Sequence, residues 1–238
     1  MLTRKGRATR DRIVAAAATL MNARGVAGTS TEDVQEAADV SASQIYHYFS
    51  DKRSLTRAVI EYQTDTIVGI QETMLVRLDD VDALRAWAEM IVAFQRNGGY
   101  RGGCPLGTLA SELAESDADA REDLAAGYRR WQRAIRTGLG AIADRGEFLP
   151  GTNVDGLATA LLTTLQGGLL LTKTLRDPEP LETALNTMID HIESFTTALL
   201  PIGLLARFQI AGVIVRWWDA TEVERPRSLR RVGVTLVD

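Results

Sequence analysis

The chain has 238 residues, 45% hydrophobic and 24% charged, a composition typical of soluble globular proteins that excludes wholesale disorder and a fibrous class. Its net charge is −4, but residues 1–57 carry +3 and the remainder −7, so basic groups gather at one end. A single cysteine, Cys104, excludes an internal disulfide and a multi-cysteine metal site, and we expect no cofactor and no metal.

The first residues are basic and are followed by charged side chains, which is not the pattern of a secretory signal. The most apolar run, residues 157–171, is shorter than the roughly 20 residues of a membrane-spanning helix. We therefore expect a cytoplasmic protein without a membrane partner.

Apolar residues from Ile13 to Met21 recur at helical spacing before Gly25 and predict a first helix over residues 9–24. Two alternatives remain for the basic residues that precede or begin it. In the first, they form an arm that contacts DNA, either along the phosphates or in the minor groove. In the second, they belong to a disordered solvated tail. These residues are Arg4, Lys5, Arg7 and Arg10.

Two capping patterns predict two short helices separated by a tight turn. Ser30 is followed three residues later by Asp33, and Ser41 by Gln44. Two helices this close must cross steeply, as in a helix-turn-helix. The second would expose large polar groups, which is an odd surface unless something binds it; the alternative is a capped helical hairpin with solvated side chains.

Further periodic segments predict an all-α fold. Asp51 would cap a long fourth helix with apolar positions Leu55, Val59, Tyr62, Ile67, Ile70 and Met74. Later helices are expected at 80–97, 105–115, 117–145, 153–175 and 179–200. We predict an N-terminal three-helix domain (1–52), a larger C-terminal helical domain (53–200) and an extension (201–238) of unknown role.

The string DVSASQIYHYFSDKRSL at residues 39–55 closely resembles the signature of the TetR/AcrR family, as do the TSTEDVQEAADVS segment before it and the end of helix one. The resemblance implies a DNA-binding helix-turn-helix domain, a ligand-binding and dimerising helical domain, and repression relieved by a small molecule. It implies groove-facing roles for Ala42, Ser43, Gln44 and Tyr46, and phosphate contacts by Thr31, His47, Tyr48 and Lys52. Glu32 departs from the basic or hydroxyl residue that family members often use there.

The residue chemistry is compatible with these roles. Thr31 and Ser41, at two helix starts, can aim backbone N–H groups at phosphates, and Gln44 has the geometry to read an adenine edge. The side chains of Tyr46, Tyr48 and Lys52 can reach the phosphate backbone of DNA.

The second half of the sequence predicts a dimer interface and a ligand cavity. An a/d-like stripe on the last helix, beside the apolar helix at 157–171, indicates a four-helix interface between two copies; the alternative is an ordinary core. The stripe is Leu181, Leu185, Met188, Ile192, Phe195 and Leu199. Candidate pocket residues, each also a plausible core residue, are Trp87, Met90, Phe94, Gln95, Leu109, Leu113, Trp131, Leu161, Thr164 and Leu165.

The sequence gives little support for a catalytic centre. Cys104 has no His or carboxylate placed beside it by any sequence pattern, which favours a packed, unreactive thiol. We expect a homodimeric repressor, not an enzyme, that binds a palindromic operator and is released by a small-molecule effector. The alternatives are a DNA-binding regulator without ligand control and, in last place, an enzyme on the same fold.

Overall fold

The computed structural model describes residues 2–78 and 80–197, which form nine α-helices and no strand beyond a single antiparallel bridge between Phe148 and Thr196. This confirms the predicted all-α class. The helices are α1 (Arg4–Arg24), α2 (Thr31–Ala38), α3 (Ala42–Tyr48), α4 (Lys52–Leu75), α5 (Val81–Asn97), α6 (Pro105–Leu113), α7 (Ala118–Asp144), α8 (Val154–Leu175) and α9 (Glu179–Glu193). The extension 201–238 lies outside the described residues, and the boundary at 52/53 stays a prediction.

Three reciprocal capping boxes define the starts of α2, α3 and α4. The side chains of Ser30, Ser41 and Asp51 accept backbone N–H groups of the first turn, and the third helical residue bonds back to each cap. Each box satisfies two backbone donors that would otherwise lack a partner. The predicted helix starts in this segment are therefore confirmed.

Helix α1 begins five residues earlier than predicted. Thr3 is its N-cap, its hydroxyl accepting from the Gly6 N–H at 3.1 Å, so Arg4, Lys5 and Arg7 form the first turn of a helix. The disordered-tail alternative is therefore wrong for these residues, whereas their contact with DNA stays a prediction. A polar cap and helix-forming Arg and Lys side chains extend the helix beyond its apolar stripe.

Helix α4 shows which predicted apolar positions are covered. Leu55 and Val59 are buried, whereas Tyr62 and Ile70 are exposed, at 38% and 60%. The polar Gln71 is buried instead and accepts the indole N–H groups of two tryptophans.

The packing of α4 against α7 and of α8 against α9 builds one continuous core that includes Trp87 and Trp131. By length and composition alone, α8 could span a membrane, but a core helix passes the same test, and a third of its most apolar window is buried in this fold. Its other face is exposed, at Leu170, Leu171 and Leu175.

The stripe predicted as a dimer seam is instead part of this core. Leu181, Leu185, Met188 and Ile192 are at most 9% exposed, because α9 packs its apolar face on α8 of the same chain. Phe195 lies beyond α9 and is half-buried, and Leu199 lies outside the described residues. The helix ends at Glu193 because the chain leaves it to pair with residues 147–149, the Leu149 N–H donating to the Phe195 carbonyl at 2.8 Å.

Candidate DNA-binding surface and effector cavity

Helices α2 and α3 form a helix-turn-helix with a three-residue turn. Asp39 ends α2 in the left-handed conformation at φ 49°, which reverses the chain before Ser41 caps α3. Ile45 and Phe49, at 2% and 3% exposed, anchor α3 in the core. A short helix held by one buried face presents its other face as a fixed surface.

That outer face carries most of the residues predicted to bind DNA. Seven of the nine are exposed and two, Thr31 and Tyr48, are half-buried. The Tyr48 hydroxyl lies 3.5 Å from where a Cβ on Gly6 would be, so the end of α3 and the basic start of α1 are neighbours. The exposed seven are Ser41, Ala42, Ser43, Gln44, Tyr46, His47 and Lys52.

Gln44 has a more restricted capacity than its sequence position predicts. Its Oε1 accepts from the Ser41 N–H at 2.9 Å and the Ser41 hydroxyl at 3.2 Å, and those donors identify the bonded atom as the oxygen. Bidentate reading of adenine needs both ends of the amide, so in this conformation only the Nε2 donor is available. This donor suits a base-edge acceptor such as guanine O6 or N7, or thymine O4.

The cations near this surface divide into paired and unpaired ones. Within residues 2–78 and 80–197, the Lys52 side chain has no ion pair or hydrogen bond. Its neighbour Arg53 is held by Asp117, at 2.6 and 2.9 Å, and by Asp119 at 2.9 Å, and this guanidinium keeps the pKa of Asp117 well below its usual range. Arg10 lies 5.4 Å from the Phe49 ring centroid. The Lys52 ammonium group is therefore available to bind a DNA phosphate, whereas the Arg53 ion pairs hold α4 against the start of α7.

A second contact, made of two hydrogen bonds, joins the α1–α2 connection to α6. Both carboxylate oxygens of Glu112 accept backbone N–H groups, from Val26 at 2.7 Å and Ala27 at 2.5 Å. Glu112 therefore links the start of the helix-turn-helix directly to the larger group of helices.

A largely apolar cavity of about 400 Å³ lies among α4, α5, α7 and α8, with Asn22 of α1 also in its wall. Five predicted pocket residues line it: Met90, Phe94, Gln95, Trp131 and Leu165. The other five, Trp87, Leu109, Leu113, Leu161 and Thr164, do not, because they pack elsewhere in the helical core or beside it. The prediction missed the α4 wall and the segment before α6, including Gln63, Thr66, Ile67, Ile70, Gln71, Arg101 and Cys104.

Cys104 is 9% exposed at the edge of this cavity, and burial raises the pKa of its thiol. A raised pKa disfavours the nucleophilic thiolate, in line with the packed thiol expected from the sequence. A wider cleft of about 680 Å³ lies between α4 and α7, but ion pairs such as Arg57–Asp123 and Arg130–Asp65 occupy its walls. The apolar cavity, which is less open to solvent than this cleft, is the better candidate for a small organic ligand.

A capped helix-turn-helix with an exposed polar second helix, on an all-α body with an apolar cavity, defines a helix-turn-helix transcriptional regulator. Residues 13–59 match the model of bacterial regulatory proteins of the tetR family, and residues 81–188 match the tetracyclin repressor-like C-terminal domain. The chain belongs to the TetR family of transcriptional regulators, whose members bind DNA.

Similar proteins agree with this assignment. A helix-turn-helix regulator from the lacX 3' region of Lactococcus lactis is 30% identical over 74% of this chain and 89% of its own. The transcriptional regulator AcuR of Cereibacter sphaeroides is 27% identical over 73% and 80%. The crystal structure of a TetR regulator from Chloroflexus aurantiacus has a TM-score of 0.68 and 30% identity, covering 82% and 98%. These relatives are transcriptional regulators rather than enzymes.

Proposed function

We propose that this protein is a homodimeric, cytoplasmic repressor that binds a palindromic operator and releases it when a small molecule enters the cavity. The observation that carries the proposal is the outer face of α3, where exposed groups stand beside the unpaired Lys52 while Ile45 and Phe49 hold the helix in place. Short hydrogen-bonding groups on such a helix read base edges, and a neighbouring cation sets the register on phosphates.

Operator selection tests the DNA-binding part. The purified full-length chain is incubated with a random pool of duplex DNA, and the retained DNA is sequenced. Because two recognition helices enter successive major grooves about 34 Å apart, we expect a palindrome whose half-sites lie one helical turn apart or a multiple of it. Enrichment of no motif, or only of a single half-site, would contradict the proposal.

The dimer interface is proposed on the exposed face of α8, with the exposed face of α9 beside it. Leu170 and Leu171, at 61% and 52% exposed, share the α8 face with Thr163 and Thr174. Gly167 lies between them, and a Cβ there would meet no atom within 4 Å. An apolar stripe with a small residue at its centre allows close approach of a symmetry-related helix, and two such helix pairs form a four-helix bundle.

Leu171→Glu tests this interface. A buried carboxylate on each side of a two-fold axis costs several kcal/mol, so we expect monomers at micromolar concentration by light scattering and loss of specific operator binding. Tyr62→Glu, another exposed apolar position outside this face, is the control and should remain dimeric. A Leu171→Glu variant that remains a dimer would place the interface elsewhere.

Glu112 is proposed to transmit movement of α6 to the helix-turn-helix. In Glu112→Gln, one bonded oxygen becomes an NH₂ group facing a backbone N–H, so one of the two bonds is lost. We expect amide hydrogen exchange at Val26 and Ala27 to accelerate about tenfold or more, while exchange in α8 stays unchanged. Ser116→Ala on the same segment is the control, and unchanged exchange in Glu112→Gln would remove this contact from the coupling.

A further inference from the structure

The cavity contains two glutamine side chains whose amide donors have no protein partner. Gln71 on α4 and Gln95 on α5 are 8% and 7% exposed, and both line the cavity. Within residues 2–78 and 80–197, the Gln71 NH₂ group and the Gln95 side-chain amide form no hydrogen bond. The side chains are buried, but their unpartnered amide donors keep some accessible surface and both residues line the cavity, so a ligand or water there can supply the acceptor.

The orientation of Gln71 is fixed by two indoles. Its Oε1 accepts the Nε1–H of Trp131 at 3.0 Å and of Trp87 at 3.3 Å. Because both indoles can only donate, the bonded atom must be the oxygen, and the NH₂ end is left over. The tryptophans therefore turn the amide so that it offers donors and no free acceptor.

Among the described residues, the charged groups around the cavity select against cations and bring no buried counter-charge to an anion. No carboxylate of the described residues lines it, so a cation would be desolvated without a counter-charge. In the part of the chain that the structure describes, the one lining cation is Arg101, and it is exposed. The remaining wall is mostly apolar and includes Ile91, Leu165 and Leu169. Its other polar side chains are Asn22, Gln63 and Thr66, and among the described residues the Asn22 Oδ1 is buried without a hydrogen-bond partner.

We propose that the cavity binds an uncharged molecule with an apolar body and a carbonyl-type oxygen, and that the Gln71 and Gln95 amides donate hydrogen bonds to that oxygen. This rests on the proposed function, since it names the chemical class of effector for the cavity. Gln71 lies 19 residues after Lys52 on the same helix, about 28 Å along its axis. A ligand bonded to Gln71 therefore acts directly on the helix that carries the DNA-binding domain.

The test uses probes that differ only in the proposed acceptor. Acetophenone is paired with 2-phenylpropene and cyclohexanone with methylenecyclohexane, so that C=O is exchanged for C=CH₂ at nearly constant shape. Equilibrium dialysis against the full-length protein, without DNA, gives the ketone-to-alkene affinity ratio for each pair. Comparing this ratio between variants cancels the different hydration of the two compounds.

We expect Gln95→Met to lower the ratio about fivefold to tenfold, the effect of losing one buried neutral hydrogen bond. The Gln95 side chain has no hydrogen bond to lose among the described residues, and Gln95→Leu serves as a second variant if the first fails to fold. Gln132→Met is the control, because Gln132 bonds Thr159 outside the cavity, and its ratio should match the wild type.

Two results would overturn the proposal: a ratio unchanged in the Gln95 variants, and the absence of binding by all four probes. Both concern the cavity alone. Failure of the proposed repressor function would appear instead in the operator selection, which contains no probe.

Discussion

Replacing Gly138 by alanine is expected to lower the free energy of unfolding by about 1–3 kcal/mol. A Cβ at this position would lie 2.4 Å from the Leu75 carbonyl oxygen and 2.5 Å from Leu78 Cδ1. The first of these is backbone at the end of α4, which cannot rotate away like a side chain. Alanine would therefore push α7 off α4, and urea unfolding followed by circular dichroism would measure the loss.

Gly140→Ala is the matched control, two residues further along α7. A Cβ there meets no atom within 4 Å, so only the helix-propensity gain of alanine remains. We expect stability to rise by about 0.5–1 kcal/mol. Equal stability of the two variants would show that α4 and α7 do not pack this closely.

The same contact bears on function, because α7 positions α4 at both ends. Gly138 allows α7 to approach the C-terminal end of α4, and Arg53–Asp117 fastens the N-terminal end. Any effector-driven movement of α4 must shift it against these two contacts.

The helix-turn-helix was predictable because its determinants are local. Ser30 with Asp33 and Ser41 with Gln44 are cap pairs three residues apart, and their backbone partners lie in the same turn. No distant residue is needed to define where α2 and α3 begin. The start of α1 was missed because Thr3 caps a stretch without apolar periodicity.

The dimer stripe was assigned to the wrong surface for a physical reason. Periodicity shows that α9 has an apolar face, but it does not reveal which helix covers that face. Leu181 lies against Gly168 of α8 and Leu185 lies beside α5, both in the same chain, while the surface left over is on α8, a helix apolar nearly all round. Choosing between faces of such a helix requires the tertiary arrangement.

Only some of the residues that line the cavity could be predicted, for a related reason. Large apolar residues such as Met90 and Trp131 are reasonable pocket candidates from composition alone. Gln71 is a polar residue in a long helix, and only the approach of two indoles explains its burial. Such a buried polar network depends on three helices meeting and leaves no pattern in the sequence.

Lys52→Gln is expected to weaken operator binding about 30-fold near 0.15 M salt and to reduce the slope of log K against log salt by about 1.8. The reason is that Lys52 is exposed and unpaired among the described residues, so its charge is available to one phosphate in each half-site. A homodimer loses two such contacts, each worth about 0.9 in the slope. Fluorescence anisotropy with the selected operator at several salt concentrations measures both quantities.

Arg53→Gln is the matched control, an exposed cation one residue away. Its guanidinium is already neutralised by Asp117 and Asp119, so its loss should loosen α4 from α7 while changing the salt slope by less than about 0.5. If Arg53→Gln reduced the slope and Lys52→Gln did not, the phosphate contact would belong to Arg53, and the ion pairs to α7 would have to open when DNA binds.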